Sequence, residues 1–467
     1  MKWLSSFYAL LLSVTLAGAA INNGGGGGGG SPPDASNGLI MVETPEKHGA
    51  AGDGTTDDTT AVQAAITAAG NAGGIVSLGP HTYKITSTLT STKACSIIGT
   101  ASSTLKMTDA GTADIISFDP GLTPTTLAQG LVGCVFREFT ILSTVARTSG
   151  YAIHIKYSHA TTIENVAIDT AAQSDVNGAV KMWGGIFLEL QSACKISHCE
   201  IASNKFGISV TGTGDGLVGS GVPYFGYDGM ITGNTDCWGG RGNGTIQNSC
   251  GLYIGGGCGG LRVDGNCNFS FYDFGVYVDH SNRELWLTHS YADTNTNCGT
   301  YITSDGCSIL HLDDWWGCGN GNPAVMWEII GAGLFTEDGF GATVVMTGGE
   351  YDRNNGAGVD LGSVGLTTLS GVTADSIILE NSATVTGYVG KSLEMVQGSF
   401  AVSGCQIRTA TGDISAVYLK ADSGVSAVTI VGCDISPPDV DLGSRLMIDG
   451  GIPIIREVGN LNYSDVP

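Results

Sequence analysis

Asp264 and Asp313 stand at matching points of two short apolar strings that lie two repeats apart, a placement that suits two carboxylates acting on one bond. The strings are Leu261-Arg262-Val263-Asp264, Leu285-Trp286-Leu287-Thr288 and Leu310-His311-Leu312-Asp313. Aligned on their first leucine, they put Arg262, Trp286 and His311 in one outward column and Asp264, Thr288 and Asp313 in a second. If each string is one strand of a stacked turn, neighbours lie roughly 4.8 Å apart, so the two aspartates have backbones roughly 9 to 10 Å apart. Carboxyls about 6.5 to 9.5 Å apart leave room for the attacking water of inverting glycoside hydrolysis, whereas a retaining pair sits near 5 Å. One carboxyl would protonate the leaving oxygen and the other would activate water. Trp286 would offer an apolar platform to a sugar ring, and Arg262 and His311 would bind hydroxyls or a carboxylate. Asp314, with Asp293 or Glu350, makes an oxygen set that suits calcium, and with Arg262 as charge stabiliser or base that set would instead serve a lyase. Outward strand positions also collect polar residues without any chemistry, and aspartates also end strands at turns. Glu337-Asp338 and Glu350-Tyr351-Asp352-Arg353 are reserve acidic candidates.

The elements that position these residues recur. Gly251-Leu252-Tyr253-Ile254, Gly275-Val276-Tyr277-Val278 and Gly299-Thr300-Tyr301-Ile302 repeat every 24 residues, each ahead of one of the strings above. Both string types alternate apolar with polar or aromatic positions, the pattern of a half-buried strand. A period in the twenties with two or three strands per repeat requires stacking, because one repeat cannot bury its own apolar face. Leucine-rich repeats share the period but need regular leucines and a helix or turn per repeat, which these Gly- and Asn-rich connections do not supply. The expected fold is therefore all-β, a parallel β-helix. Its Tyr253, Tyr277 and Tyr301 column either binds sugar rings or stabilises the coil by stacking on itself. Adjacent Trp315 and Trp316 cannot both be buried easily, so a sugar platform or a subunit contact is expected there. Between Thr211 and Cys250 the period breaks, and a Gly-rich excursion carries Tyr224, Phe225, Tyr227, Trp238 and Arg241.

Upstream, Gly49-Ala50-Ala51-Gly52-Asp53-Gly54-Thr55-Thr56-Asp57-Asp58-Thr59-Thr60-Ala61-Val62-Gln63-Ala64-Ala65-Ile66 joins a turn to a short helix. Asp57 or Asp58 offers the N-cap, and Val62, Ala65, Ile66 and Ala69 form one apolar stripe ended by Gly70. Such a helix can cover the open first turn of the coil. These residues, with Gly73-Gly74-Ile75-Val76-Ser77-Leu78 and Tyr83, resemble the N-terminal signature of the pectate-lyase-like superfamily of right-handed β-helix proteins. That superfamily includes secreted polysaccharide lyases and hydrolases and phage tailspikes. The family usually has a proline, a spacer and a glycine before the tyrosine, where this chain has Gly79-Pro80-His81-Thr82. The resemblance implies the fold and a polysaccharide partner. It carries no catalytic residues over, and the Gly-His-Gly and Arg-x-Lys strings of polygalacturonases are absent. Asp53, Asp57 and Asp58 are read as structural.

The rest of the 467 residues bounds the class. A net charge of −23 argues against nucleic acid as partner and favours neutral or cation-bridged glycans. Lys2, the apolar run Trp3–Leu16 and Ala17-Gly18-Ala19 read residues 1–20 as a secretory signal, too short for a comfortable membrane span. Residues 21–46 are a Gly/Pro-rich linker, 47–92 the cap and opening of the coil, 93–440 the β-helix and 441–467 a tail. Of thirteen cysteines, Cys199, Cys405 and Cys433 share one context and read as stacked core filler. Bridges among Cys250, Cys258, Cys267, Cys298, Cys307 and Cys318 are the alternative. The functional expectation is an extracellular glycan-binding and glycan-cleaving β-helix. A trimeric phage spike and a non-catalytic adhesin are the alternatives.

Overall fold

In a computed structural model of the chain, one turn of the coil is made of three short strands that meet at corners, as in Cys250–Ile254, Leu261–Val263 and Asn268–Ser270. The structure describes residues 40–169, 180–212, 229–239, 248–321, 331–363, 365–408, 415–420, 425–436, 444–449 and 455–458. The expected signal, residues 21–39 of the expected linker, and Tyr224, Phe225, Tyr227 and Arg241 lie outside these residues.

Alternation builds each strand. Leu252, Ile254, Leu261, Val263, Cys267 and Phe269 point inward and are buried, while Tyr253, Arg262 and Asn268 between them face out. The strands pair in parallel from turn to turn, so Leu252 lies beside Val276 and Val276 beside Thr300, and these inward residues join a core that runs along the coil. We call the faces first, second and third in the order the chain meets them.

The corner between the second and third faces needs a left-handed backbone at each turn. Glu138, Asn165, His198, His289 and Asp314 adopt it, as do Gly371, Gly387, Gly404 and Gly432. Asn, Asp and His tolerate this region better than most residues, and Gly tolerates it freely. The corner N–H groups make their own ladder, His289 to the Asp313 carbonyl and Asp314 to the Thr347 carbonyl, both 2.8 Å. Cys199, Cys405 and Cys433 each follow a corner residue and are buried, as their shared context predicts. All thirteen cysteines are free and buried, so the bridges considered for Cys250, Cys258, Cys267, Cys298, Cys307 and Cys318 are not formed.

A second ladder lies inside. The Asn295 backbone and side-chain N–H groups donate to Asn320 Oδ1 at 3.0 and 3.1 Å, and those of Asn320 donate to Asn354 Oδ1 at 2.9 and 3.1 Å. Each buried amide oxygen thereby accepts from the backbone N–H of the preceding turn, while each side-chain N–H reaches the amide of the next, so these donors are satisfied.

The helix Thr59–Ala72 buries Val62, Ala65, Ile66 and Ala69 over the first turn. It runs past Gly70 and stops at Gly73, which takes the left-handed C-cap with φ 62°. Asp57 Oδ1 accepts from the Thr59 N–H, while buried Asp58 accepts from Ala51 and Gly52, so both are structural. Two expectations are revised. Within 211–250 the described strands Met230–Thr232 and Asp236–Gly239 pair with the turns on both sides, so the coil runs on through these residues. The coil also passes residue 440, since Ser444–Asp449 and Ile455–Val458 continue the parallel ladder. Among the described residues no helix is long and apolar enough to cross a membrane.

Candidate functional site

On the second face the predicted column forms: Arg262 pairs with Trp286 and Trp286 with His311. The Arg262 guanidinium sits 4.7 Å from the Trp286 ring, and the His311 ring stacks on it at 5.4 Å with planes 4° apart. Trp286 is thus covered on one side by a cation and on the other by an imidazole. A sugar stacks on an open ring face, so this geometry withdraws Trp286 from the platform role its exposure suggested. Asp313 pairs with Thr288 as the register predicts, and Asp264 extends just beyond its strand. His289 fills the interval between the two aspartates. Its Nδ1 lies 3.0 Å from Asp264 Oδ1 and its Nε2 4.0 Å from Asp313 Oδ2. All three side chains are about half exposed, so the array is a solvated carboxylate–imidazole–carboxylate chain rather than a gap waiting for water. Spacing alone misses His289, because it belongs to the corner and not to either string.

On the first face Tyr253, Tyr277, Tyr301 and Phe335 stack at 6.0, 5.1 and 5.4 Å with planes 16° to 22° apart. Stacking along the coil axis turns each ring face toward the next ring and leaves edges to solvent. Tyr253 Oη donates to Asp279 Oδ2 at 2.6 Å, and Tyr301 Oη donates to Glu337 Oε1. These hydroxyls are thus tied to neighbouring carboxylates, and the column serves as a brace for the coil. Its lower end holds His154 between Asp114 Oδ2 at 2.7 Å and Glu189 Oε2 at 3.0 Å. Burial alone would lower this imidazolium, but the two carboxylates outweigh it and push His154 up to about 9. At the other end Asp360 pairs with Phe335, and burial, reinforced by Asp338 and Glu394, raises its carboxyl to about 6.

The third face was not singled out by sequence. Its outward column runs Glu200, Asp236, Asn268, Tyr291, Trp316, Glu350, each paired with the next. Glu200 and Asp236 lie one turn apart, so their backbones are separated by roughly 4.8 Å. Partial burial, and then the Glu200 charge, raise the Asp236 carboxyl to about 6. Tyr291, two turns on, is in turn raised by its own burial and by Asp236, which places the phenol within the field of that acid. Trp238 stands two residues beyond Asp236 on the same strand and is partly exposed. Trp316 is 47% exposed, whereas Trp315 is fully buried, stacks near Phe269 and donates its Nε1–H to Thr300 Oγ1 at 3.0 Å. Just past the corner the backbone sends the adjacent indoles to opposite sides, so Trp315 is a core residue and, of the two, Trp316 is the one that can meet a ligand.

The expected calcium set is not assembled. Among the described residues the ligand atoms that lie within 4.8 Å of one another belong to Cys318, Glu350 and Asp352, a group that excludes Asp314 and Asp293. A buried thiol pushed up to about 12 is a poor partner for a hard, oxygen-seeking cation, so this set does not fit calcium.

Residues 46–235 match the family model described as rhamnogalacturonase A/epimerase, pectate lyase-like. Among curated proteins none matches the chain by sequence. Similar solved structures include the pre-mature gene product 12 of bacteriophage phi29, at 12% identity and TM-score 0.57, and tailspike protein 3 of bacteriophage CBA120, at 13% and 0.50. Each is covered over 91% of this chain, which spans 56% and 62% of the respective phage chains. The A-module of the mannuronan C-5 epimerase AlgE6 of Azotobacter vinelandii aligns at 12% identity and TM-score 0.45, over 91% of this chain and all of that module. For the two phage chains, at these identities, the likeness is one of fold, a right-handed parallel β-helix.

Proposed function

We propose, from a right-handed parallel β-helix whose residues 46–235 match a pectate lyase-like family model, that the chain binds a polysaccharide along its third face and hydrolyses it there. The observation that carries the reading is the pair formed by Asp236 and Glu200. Asp236 is raised to about 6 and still holds its proton in mildly acidic solution, as a general acid must, while Glu200 stands one turn away. Backbones roughly 4.8 Å apart allow the two carboxyls to reach the about 5 Å separation of a double-displacement pair, in which Glu200 attacks the anomeric carbon and Asp236 protonates the leaving oxygen. Water then releases the sugar with overall retention. Trp238, Tyr291 and Trp316 extend along the same face as partly exposed aromatic surface for sugar rings.

The second reading keeps the chemistry on the second face. Asp264, His289 and Asp313 would relay a proton, with Arg262 and His311 as substrate contacts, in an inverting hydrolase or a lyase. The contact between His289 and both carboxylates favours it, and the covered Trp286 ring weighs against it. A spike that grips glycan as a trimer on a virion tail is the non-catalytic form of the same proposal, and a secreted enzyme is the other setting.

Incubating the protein with a panel of neutral and acidic polysaccharides, while following new reducing ends and unsaturated-uronate absorbance, tests these readings. New reducing ends that Asp236→Asn abolishes support third-face hydrolysis. Absorbance rising with them, or full activity in Asp236→Asn, overturns it. A mass of three chains in solution would support the spike.

A further inference from the structure

The third-face column does not stop at Glu350. It continues through Thr373, Val389 and Gln406 in unbroken register, and there the surface turns concave. This open cleft offers about 250 Å³, and among its lining residues are Asp352, Asp375, Lys391, Gln406, Arg408 and Val389. Volume and lining suit a single sugar residue seated among a few polar groups.

Its charge differs from that of the chain around it. The protein holds 43 acidic and 20 basic residues, yet this cleft brings two cations and two carboxylates to one place. The charges are already matched. Lys391 Nζ lies 2.5 Å from Asp375 Oδ1, Arg408 Nη2 3.5 Å from Asp434 Oδ2, and Arg353 Nε 3.0 Å from Asp352 Oδ1. A uronate would therefore bring a further negative charge against Asp352 and Asp375 without finding a cation lacking a counter-ion. An uncharged sugar ring instead presents hydroxyls that both donate and accept. Carboxylate oxygens, cationic N–H groups and the Gln406 amide at close intervals can satisfy both roles. Val389, 44% exposed, offers the apolar contact that the C–H face of such a ring requires.

We infer that this cleft is a subsite for a neutral, hydroxyl-rich sugar residue, and hence that the polysaccharide taken by the third face is uncharged at this position. The inference rests on the third face being the glycan track. The cleft lies about six turns beyond Asp236, roughly 29 Å at one strand spacing per turn, so it engages long oligosaccharides and not short ones.

The test is binding of the full chain to an array of immobilised neutral and uronate-containing oligosaccharides, long and short. The long neutral glycans should be retained, and Asp375→Asn, which keeps an acceptor for the Arg353 N–H, and Gln406→Ala should each weaken that retention about tenfold with little change in melting temperature. Preferential retention of uronate glycans, retention unaltered by both substitutions, or no retained glycan at all overturns the subsite. Cleavage is scored separately with Asp236→Asn. If that variant still cleaves while the cleft substitutions weaken binding, the hydrolytic reading falls and the subsite stands; if Asp236→Asn is dead but the cleft variants bind normally, the subsite falls alone.

Discussion

Replacing Asp360 by Asn should stabilise the protein in neutral solution and leave it unchanged in acid. The carboxyl lies in the first-face column beside Phe335, and burial together with Asp338 and Glu394 raises it from 3.8 to about 6. A carboxyl whose native pKa is raised binds its proton more tightly folded than unfolded. Its favourable contribution is therefore complete below pH 3.8 and is lost as pH rises through about 6. At pH 8 the native state must hold the charge in a poorly solvated site. At 1.36 kcal/mol per pH unit between the two values, that costs about 3 kcal/mol, an upper figure because the surrounding groups relax. Asn keeps the shape and removes the charge. Urea unfolding should show a gain approaching 3 kcal/mol at pH 8, shrinking through the interval from pH 6 to 4 and absent below it. An equal gain at pH 4 and pH 8 would show that packing, not ionisation, is responsible. No gain at pH 8 would refute the claim that this site penalises the charge.

Other outcomes follow from the same geometry. Cleavage should weaken as pH rises above about 6, since Asp236 must be protonated to act, and the high-pH limb should vanish with the activity in Asp236→Asn, which should lose 10²- to 10⁴-fold in a reducing-end assay. Asn320→Ala strips acceptors from both Asn295 N–H groups and should cost roughly 3 kcal/mol or more, read by chemical unfolding; a cost below about 1 kcal/mol would mean that the amide ladder contributes little. His289→Gly should preserve the left-handed corner, φ 45°, and retain cleavage, whereas His289→Val should lower the melting temperature. Loss of cleavage in a well-folded His289→Gly protein would return the chemistry to the second face. A thiol reagent should find almost no reactive cysteine in the folded protein and thirteen after unfolding without reductant; a lower final count would reveal bridges.

Much of the coil is legible in the chain. The 24-residue spacing, the alternating strings and the helix from Thr59 name a capped stack of parallel strands, because a strand with one apolar face has to bury it against the next turn. Equal string lengths also set the local register, and the contact of Arg262, Trp286 and His311 follows from it. The third face is not readable in this way. Successive members of its column are separated by 36, 32, 23, 25 and 34 residues, so no constant period brings Glu200, Asp236, Asn268, Tyr291, Trp316 and Glu350 into line.

The sequence by itself determined the strand type, the inward residues and the turn that Gly, Asn, Asp or His must make, since these depend on neighbours along the chain. Tertiary structure alone decided which aromatic faces stay open, that Trp286 is enclosed and Trp316 is not, that His289 enters between Asp264 and Asp313, and that Asp236 feels Glu200. Ring access and carboxyl ionisation depend on what stands one turn above and below, and connections of unequal length hide those neighbours until the coil closes.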